Sequence, residues 1–128
     1  TIKQNALTVA EAQLTDVDRQ ICVKAYIVGT AYKSLNNILL WPPFTSSTSI
    51  LLSDTPIVTD SQTDETIDKN SFLPVCLTDR ASIRKKLNLK DNPELWNHQV
   101  YIIGTRDYYM NVLGLKKVLE YEIVKDQE

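Results

Sequence analysis

Tyr26-Ile27-Val28-Gly29-Thr30 recurs late in the chain as Tyr101-Ile102-Ile103-Gly104-Thr105. Each copy is an aromatic and β-branched run, the composition that suits a pleated, half-buried surface, and each is stopped by a glycine. The two copies read as strands of one small β protein. Rings follow both bends, Tyr32 after the first and Tyr108-Tyr109 after the second, so the chain twice delivers a bulky side chain just beyond a strand.

Around the first copy, Ile21, Val23, Ala25 and Ile27 alternate with Cys22, Lys24, Tyr26 and Val28. That period of two predicts a long strand to Ala31 with one apolar face. Upstream, Thr8-Val9-Ala10-Glu11 reads as a capping box, Thr8 at N-cap and Glu11 at N3, opening a short helix to about Gln13. Downstream, a turn near Asn36-Asn37 leads to a second strand carrying Ile38-Leu39-Leu40-Trp41. Ile50-Leu51-Leu52 either continues that strand beyond an insertion or begins its neighbour. Pro42-Pro43 cannot donate ladder hydrogen bonds. The stretch from Pro42 to Asn70, rich in serine, threonine and acids, predicts a polar excursion bearing Asp54, Asp60, Asp64, Glu65 and Asp68.

Phe72 to Leu77 reads as a third strand with Leu73, Val75 and Leu77 on one face. Asp79 or Ser82 can then cap a helix at about 82–88, in which Ile83 and Leu87 share a side; Asn88 and the Asp91-Asn92-Pro93 turn stop it. Gln99 to Thr105 and Lys116 to Val124 supply a fourth and a fifth strand, joined by a connection containing Gly114. Three strands, one helix and two strands make an all-β layout, that of the five-stranded Greek-key barrel called the oligonucleotide/oligosaccharide-binding (OB) fold. Here it carries one helix between strands three and four and a short N-terminal helix. A ferredoxin-like sandwich needs a helix between its first two strands, and no helical period separates Ala31 from Leu51. A generic α+β sandwich is the competing architecture. In the barrel, Ala25, Ile27, Val75, Leu77, Val100 and Ile102 point inward.

The 128 residues fit a single domain over 1–128, interrupted by the polar loop at about 42–70. A chain of this size buries roughly two thirds of its unfolded surface, so no metal or disulfide is required. Fourteen basic and sixteen acidic side chains leave a net charge of -2, which predicts no strong overall attraction for nucleic acid or anionic lipid. Cys22 and Cys76 match neither a metal knuckle nor a redox pair and read as thiols rather than a bridge. No apolar run approaches the length of a membrane span, and no basic-plus-apolar export signal is present. The absence of an initial methionine reads as a processed or truncated N-terminus.

Several strings together resemble an uncharacterised family of exported Bacteroides-type proteins. They are Thr8-Val9-Ala10-Glu11-Ala12, Lys24-Ala25-Tyr26-Ile27-Val28-Gly29, Leu73-Pro74-Val75, Leu87-Asn88-Leu89-Lys90-Asp91-Asn92-Pro93, Gly114-Leu115-Lys116-Lys117-Val118 and Glu120-Tyr121-Glu122. The resemblance implies an OB-fold module of an exported, often lipid-anchored, envelope or surface protein, and it supplies no catalytic residues. Ala25 in place of an expected glycine, and the insertion from Pro42 to Ser49, depart from that pattern and make the ligand surface at that end particular to this chain. An exported location permits disulfides.

The chain has no serine nucleophile elbow, no phosphate-binding glycine loop and no zinc helix. His98 stands alone at a strand entrance, and Asp79 and Asp91 read as caps. The acids of the polar loop miss the EF-hand spacing. Arg80, Arg84, Lys85, Lys86 and Lys90 read as a solvated helix face. No catalytic residue, metal site or cofactor is expected. The binding candidates are rings with one cation: Tyr26 and Tyr101 on outer strand faces, Trp41 and Phe44 held out by Pro42-Pro43, and Tyr32, Arg106, Tyr108 and Tyr109 near strand ends. These features predict a non-enzymatic module that holds a carbohydrate, peptide or protein. The alternative is single-stranded nucleic acid, stacked on the rings beside Arg106, Lys116 and Lys117.

Overall fold

In the computed structural model, which describes residues 6–32, 34–41, 43–57, 71–110 and 112–124, the alternating run Gln20–Tyr32 forms one strand, β1. It serves three antiparallel partners in turn. Gln20 to Tyr26 pair with β5 (Gln99–Tyr109), Tyr26 to Gly29 with β3 (Ser49–Ser53), and Thr30 to Tyr32 with β2 (Ser34–Leu39). The remaining strands are β4 (Leu73–Cys76) and β6 (Val112–Ile123), and the two short helices are α1 (Val9–Ala12) and α2 (Ala81–Leu87). Strand order in this mostly β structure is β2-β1-β3-β4-β6-β5, with β1 also pairing β5; β4 and β6 run parallel.

Among the described residues there are six strands where five are expected. Ile38-Leu39 close β2 and Ile50-Leu52 belong to a separate β3, because between them Leu40 and Phe44 turn inward and are buried in two different apolar clusters. Gly114 lies inside β6 rather than in a connection. The chain reverses earlier, after the Tyr109↔Val112 pair, where Met110 takes a positive φ of 58°.

The two glycines of the repeated phrase both stand at register slips and both meet a close neighbour. Register slips between β1 and β3 at Ile27/Gly29 and between β5 and β6 at Ile103/Thr105. At Gly104 the bulge partner β6 supplies the close backbone, whereas at Gly29 it comes from Leu39 and Leu40 at the end of β2. At Gly29 an added Cβ would meet Leu39 O and Leu40 Cδ2; at Gly104 it would lie 3.0 Å from Leu115 Cγ and from Lys116 O. Neither glycine has positive φ, so space and not backbone conformation demands it.

All six residues expected to face inward, Ala25, Ile27, Val75, Leu77, Val100 and Ile102, lie in the main core. The helices close this core with Val9, Ala12, Ile83 and Leu87. The capping box forms: Glu11 N donates to Thr8 Oγ1 and Thr8 N to Glu11 Oε1, each at 3.0 Å. Asp54, from the end of β3, accepts from Val9 N at 2.7 Å and Ala10 N at 3.1 Å. Neither Asp79 nor Ser82 caps α2, which begins one residue early behind Arg80. Asp79 instead accepts Lys117 N at 3.0 Å, where the β6 bulge withdraws that amide from its ladder. Asn88, Asp91 and Asn92 stop α2 as expected; Asn88 Nδ2 donates to Arg84 O at 2.6 Å and Asn92 Nδ2 to Lys85 O at 2.8 Å.

A second apolar cluster covers the outer side of the sheet at β1 and β3. Val28, Ala31, Leu40, Leu51 and Phe72 form it, with Tyr26, Ile38, Trp41, Ile57 and Met110 packed against them. Every residue of β3 and β4 is buried. Asn97 fastens the segment after β3 by pairing its side-chain amide with both backbone groups of Ile57, at 2.9 and 2.8 Å.

Candidate binding surface

The eight ring and cation candidates divide by burial. Phe44 is 6% exposed and lies in the main core. The turn at Pro43 therefore directs its ring inward, correcting the expectation of an outward platform. Tyr26 and Trp41 are half-buried against the second cluster, so burial of the outer face by distant segments takes most of their surface. Tyr101 is half-buried under the Lys24 ammonium, 5.4 Å from its ring centre. Tyr32 and Tyr108 are the exposed rings, at 59% and 64%.

Arg106 is 1% exposed and is no surface cation. Its place on β5 continues the inward row of Val100, Ile102 and Gly104. Its guanidinium donates to four carbonyls: Nη1 to Leu113 O at 2.7 Å and Gly114 O at 3.2 Å, Nε to Thr15 O and Nη2 to Gln13 O, both at 3.4 Å. Burial lowers its pKa. The backbone adds Asp18 N to Arg106 O at 2.7 Å and Arg106 N to Arg19 O at 2.8 Å. The 13–19 loop is thereby pinned against the base of the β5–β6 hairpin. The loop carries Leu14, 85% exposed, with Val17 also exposed, and the hairpin carries Tyr108 opposite Leu113. The exposed acids Asp16 and Asp18 and the half-exposed Asp107 belong to the same segments. The sequence reading missed Leu14; a lone leucine amid polar loop residues is the signal that marks it.

Tyr109 turns the other way. Its hydroxyl shares hydrogen bonds with Ser49, Thr48 and Cys76, and burial, reinforced by the Cys76 thiol's charge when ionised, pushes its pKa up to about 12. Ser49 in turn exchanges hydrogen bonds with Ala31, donating to its oxygen at 2.7 Å. Ala31 and Tyr109 thus converge on Ser49, which places the exposed neighbours Tyr32 and Tyr108 at one end of the sheet. The folded state holds Tyr109 protonated while the unfolded chain ionises near 10. This contribution to stability is therefore full below pH 10 and is lost as pH rises through 12. Denaturant titrations at pH 8 and pH 11.5 are expected to show the wild type losing about 1 kcal/mol more than Tyr109→Phe, after allowance for solvent screening. Equal losses would assign no such role to this hydroxyl.

Other sequence candidates have structural partners. His98 Nδ1 lies 3.4 Å from Trp96 O, and Trp96 Nε1 donates to Val28 O at 3.0 Å. Arg84 leaves the basic group to bond Ser47 O at 3.1 Å and Ser47 Oγ at 2.9 Å, while Arg80, Lys85, Lys86 and Lys90 are exposed. Cys22 and Cys76 are both thiols, and burial raises the pKa of Cys22. Asp60, Asp64, Glu65 and Asp68 lie outside the described residues. Among the described residues, no three His, Cys, Asp or Glu side chains gather as a metal site, and no helix is long and apolar enough to cross a membrane.

No curated protein and no solved structure matches the chain. A family match covers residues 7–124, from the residue before the capping box to the residue after β6. The chain belongs to the family described as a domain of unknown function, DUF6359.

Proposed function

We propose that this chain is a non-enzymatic OB-fold binding module of an exported or cell-surface protein, and that it holds a protein, peptide or carbohydrate partner at the Arg106-clamped end. The fold assignment is supported by the circuit of pairings β1-β3-β4-β6-β5-β1, with α2 between β4 and β5 and with β2 as an added edge. A circuit of five paired strands of this kind supports a Greek-key barrel reading. The binding assignment rests on one observation: a buried guanidinium holds in place the two segments that expose Leu14 and Tyr108. Large apolar side chains presented on a fixed backbone lose little conformational entropy when a partner covers them.

The outer face of β3, part of the surface where this fold commonly receives nucleic acid, is covered at Leu51 by the chain's own second cluster. Asp16, Asp18 and Asp107 beside the exposed rim oppose phosphate. Both features favour the protein or glycan reading over single-stranded nucleic acid. Glycan arrays and protein pull-downs are expected to yield a ligand whose affinity falls about tenfold or more on Tyr108→Ala or Leu14→Ser. Tyr101→Ala serves as the control that leaves affinity unchanged. A ligand indifferent to Tyr108 and Leu14 would move the site elsewhere. Oligonucleotide binding that weakens as salt rises would restore the nucleic-acid reading.

A further inference from the structure

We propose that the exposed face of α2, with the residues flanking it, binds an acidic polysaccharide, a sugar chain carrying sulfate or carboxylate groups. This surface shares no residue with the Arg106-clamped end and does not depend on that reading.

Charge is segregated along the chain. Arg80, Arg84, Lys85, Lys86 and Lys90 fall within residues 80–90, which hold no acid, leaving nine of the fourteen cations against all sixteen acids elsewhere. A molecule that is acidic overall thus has one cationic pole, and that pole draws an anionic partner. The helix buries Ile83 and Leu87, so its charged side chains stand off the core side. Ala81 and Ser82, small and exposed, precede Arg84, Lys85 and Lys86 by three or four residues, the spacing of neighbours on a helix surface. The result is a shallow floor with a cationic rim. Arg84 is half-buried and already set in place: Nε donates to Ser47 O at 3.1 Å and Nη2 to Ser47 Oγ at 2.9 Å, and neither Nη1 hydrogen is spent among the described residues. A guanidinium held in this way offers its remaining donors to an oxyanion at little entropic cost.

The surroundings select the class of partner. Asp79 and Asp91 bound the patch as hydrogen-bonded caps, on Lys117 N and Asn88 Nδ2, and Glu94 and Glu120 are exposed beyond it. A duplex or a membrane, each broader than the about 10 Å of α2, would press its own anions against these carboxylates. Single-stranded nucleic acid needs rings on which to stack, and residues 79–92 and 45–48 supply none. An acidic peptide needs an apolar anchor. The nearest recess, a groove of about 330 Å³ beside Ile83 and Leu119, is bordered by Glu120 and repels it. A narrow acidic sugar chain meets neither obstacle: its anionic groups face the cations, and its hydroxyls find those of Thr45, Ser46, Ser47, Thr48 and Ser82, all exposed or half-exposed.

The probes are dextran sulfate oligosaccharides, uncharged dextran of the same length, and poly-glutamate and oligothymidylate matched in charge, each titrated into isotope-labelled protein and followed by amide NMR. Dextran sulfate is expected to give saturable shifts centred on residues 80–86 and 46–48, with an affinity that falls as salt rises, and dextran to give none. Replacing three exposed cations together, Arg80→Gln, Lys85→Gln and Lys86→Gln, is expected to weaken dextran sulfate about tenfold or more, while Lys24→Gln on β1 leaves it unchanged. Should the triple variant fold poorly, the comparison of dextran sulfate with poly-glutamate on the wild type decides by itself. Four results overturn the proposal: no binding of dextran sulfate, shifts spread evenly over the chain's other lysines and arginines, unchanged affinity in a folded triple variant, or poly-glutamate or oligothymidylate binding as tightly. The last would give the face to an acidic chain of another class.

Discussion

Arg106→Ala is expected to lower unfolding free energy by about 3–4 kcal/mol and the melting temperature by roughly 10–20 °C. The guanidinium is enclosed by carbonyl oxygens and not by a carboxylate, so its removal leaves Leu113 O, Gly114 O, Thr15 O and Gln13 O without their donor. Each buried acceptor left unpaired costs about 1–3 kcal/mol, and the vacated volume adds a packing loss. Water reaches the loop carbonyls and recovers part of this, which sets the lower end of the range. Arg106→Lys keeps the charge but replaces a planar fork with a single ammonium, and it is expected to recover less than half of the loss. Urea denaturation of the three proteins measures the difference. An alanine variant within about 1 kcal/mol of wild type would show that these contacts hold nothing together.

The second large effect is at Gly29. An alanine methyl would fall against the Leu39 carbonyl oxygen, 2.8 Å from Leu40 Cδ2 and 3.1 Å from Leu40 Cα. Two of these three obstacles are backbone, so rotamer adjustment cannot relieve them. β2 must move off β1, opening the second cluster that Leu40 helps to fill. The cost is about 3 kcal/mol, at the upper end of overpacking. Gly114→Ala meets Pro74 O at 2.6 Å and is expected to follow closely. Gly104→Ala has its nearest atoms at 3.0 Å and is expected to cost about 1 kcal/mol. The order Gly29, Gly114, Gly104 in chemical denaturation is the check; an equal response at all three would detach the effect from these contacts.

These two residues also mark where sequence reading stopped. Gly29 and Gly104 were recognisable as strand punctuation, yet their function as close-approach sites depends on which strand crosses them. Arg106 beside two tyrosines has the composition of a ligand site, and nothing local distinguishes it from a buried clamp. Its partners at residues 13, 15, 113 and 114 are brought together only by tertiary folding.

What the sequence determined by itself follows from short-range rules. Alternation of period two placed Ala25, Ile27, Val75, Leu77, Val100 and Ile102 on the core side, because successive strand side chains point to opposite faces. Thr8 with Glu11, and Asn88 with Asp91-Asn92, set helix ends, because a cap and the backbone it serves are neighbours in the chain. The tertiary structure alone decided the opposite face. Tyr26 and Trp41, with Ile57 and Met110, pack against a cluster that draws Phe72 from a distant position, Phe44 turns into the main core, and Tyr32 and Tyr108 are left exposed. Burial of a ring depends on whatever surface the fold brings against it, and hydrophobic attraction, being non-directional, leaves no spacing in the sequence to read.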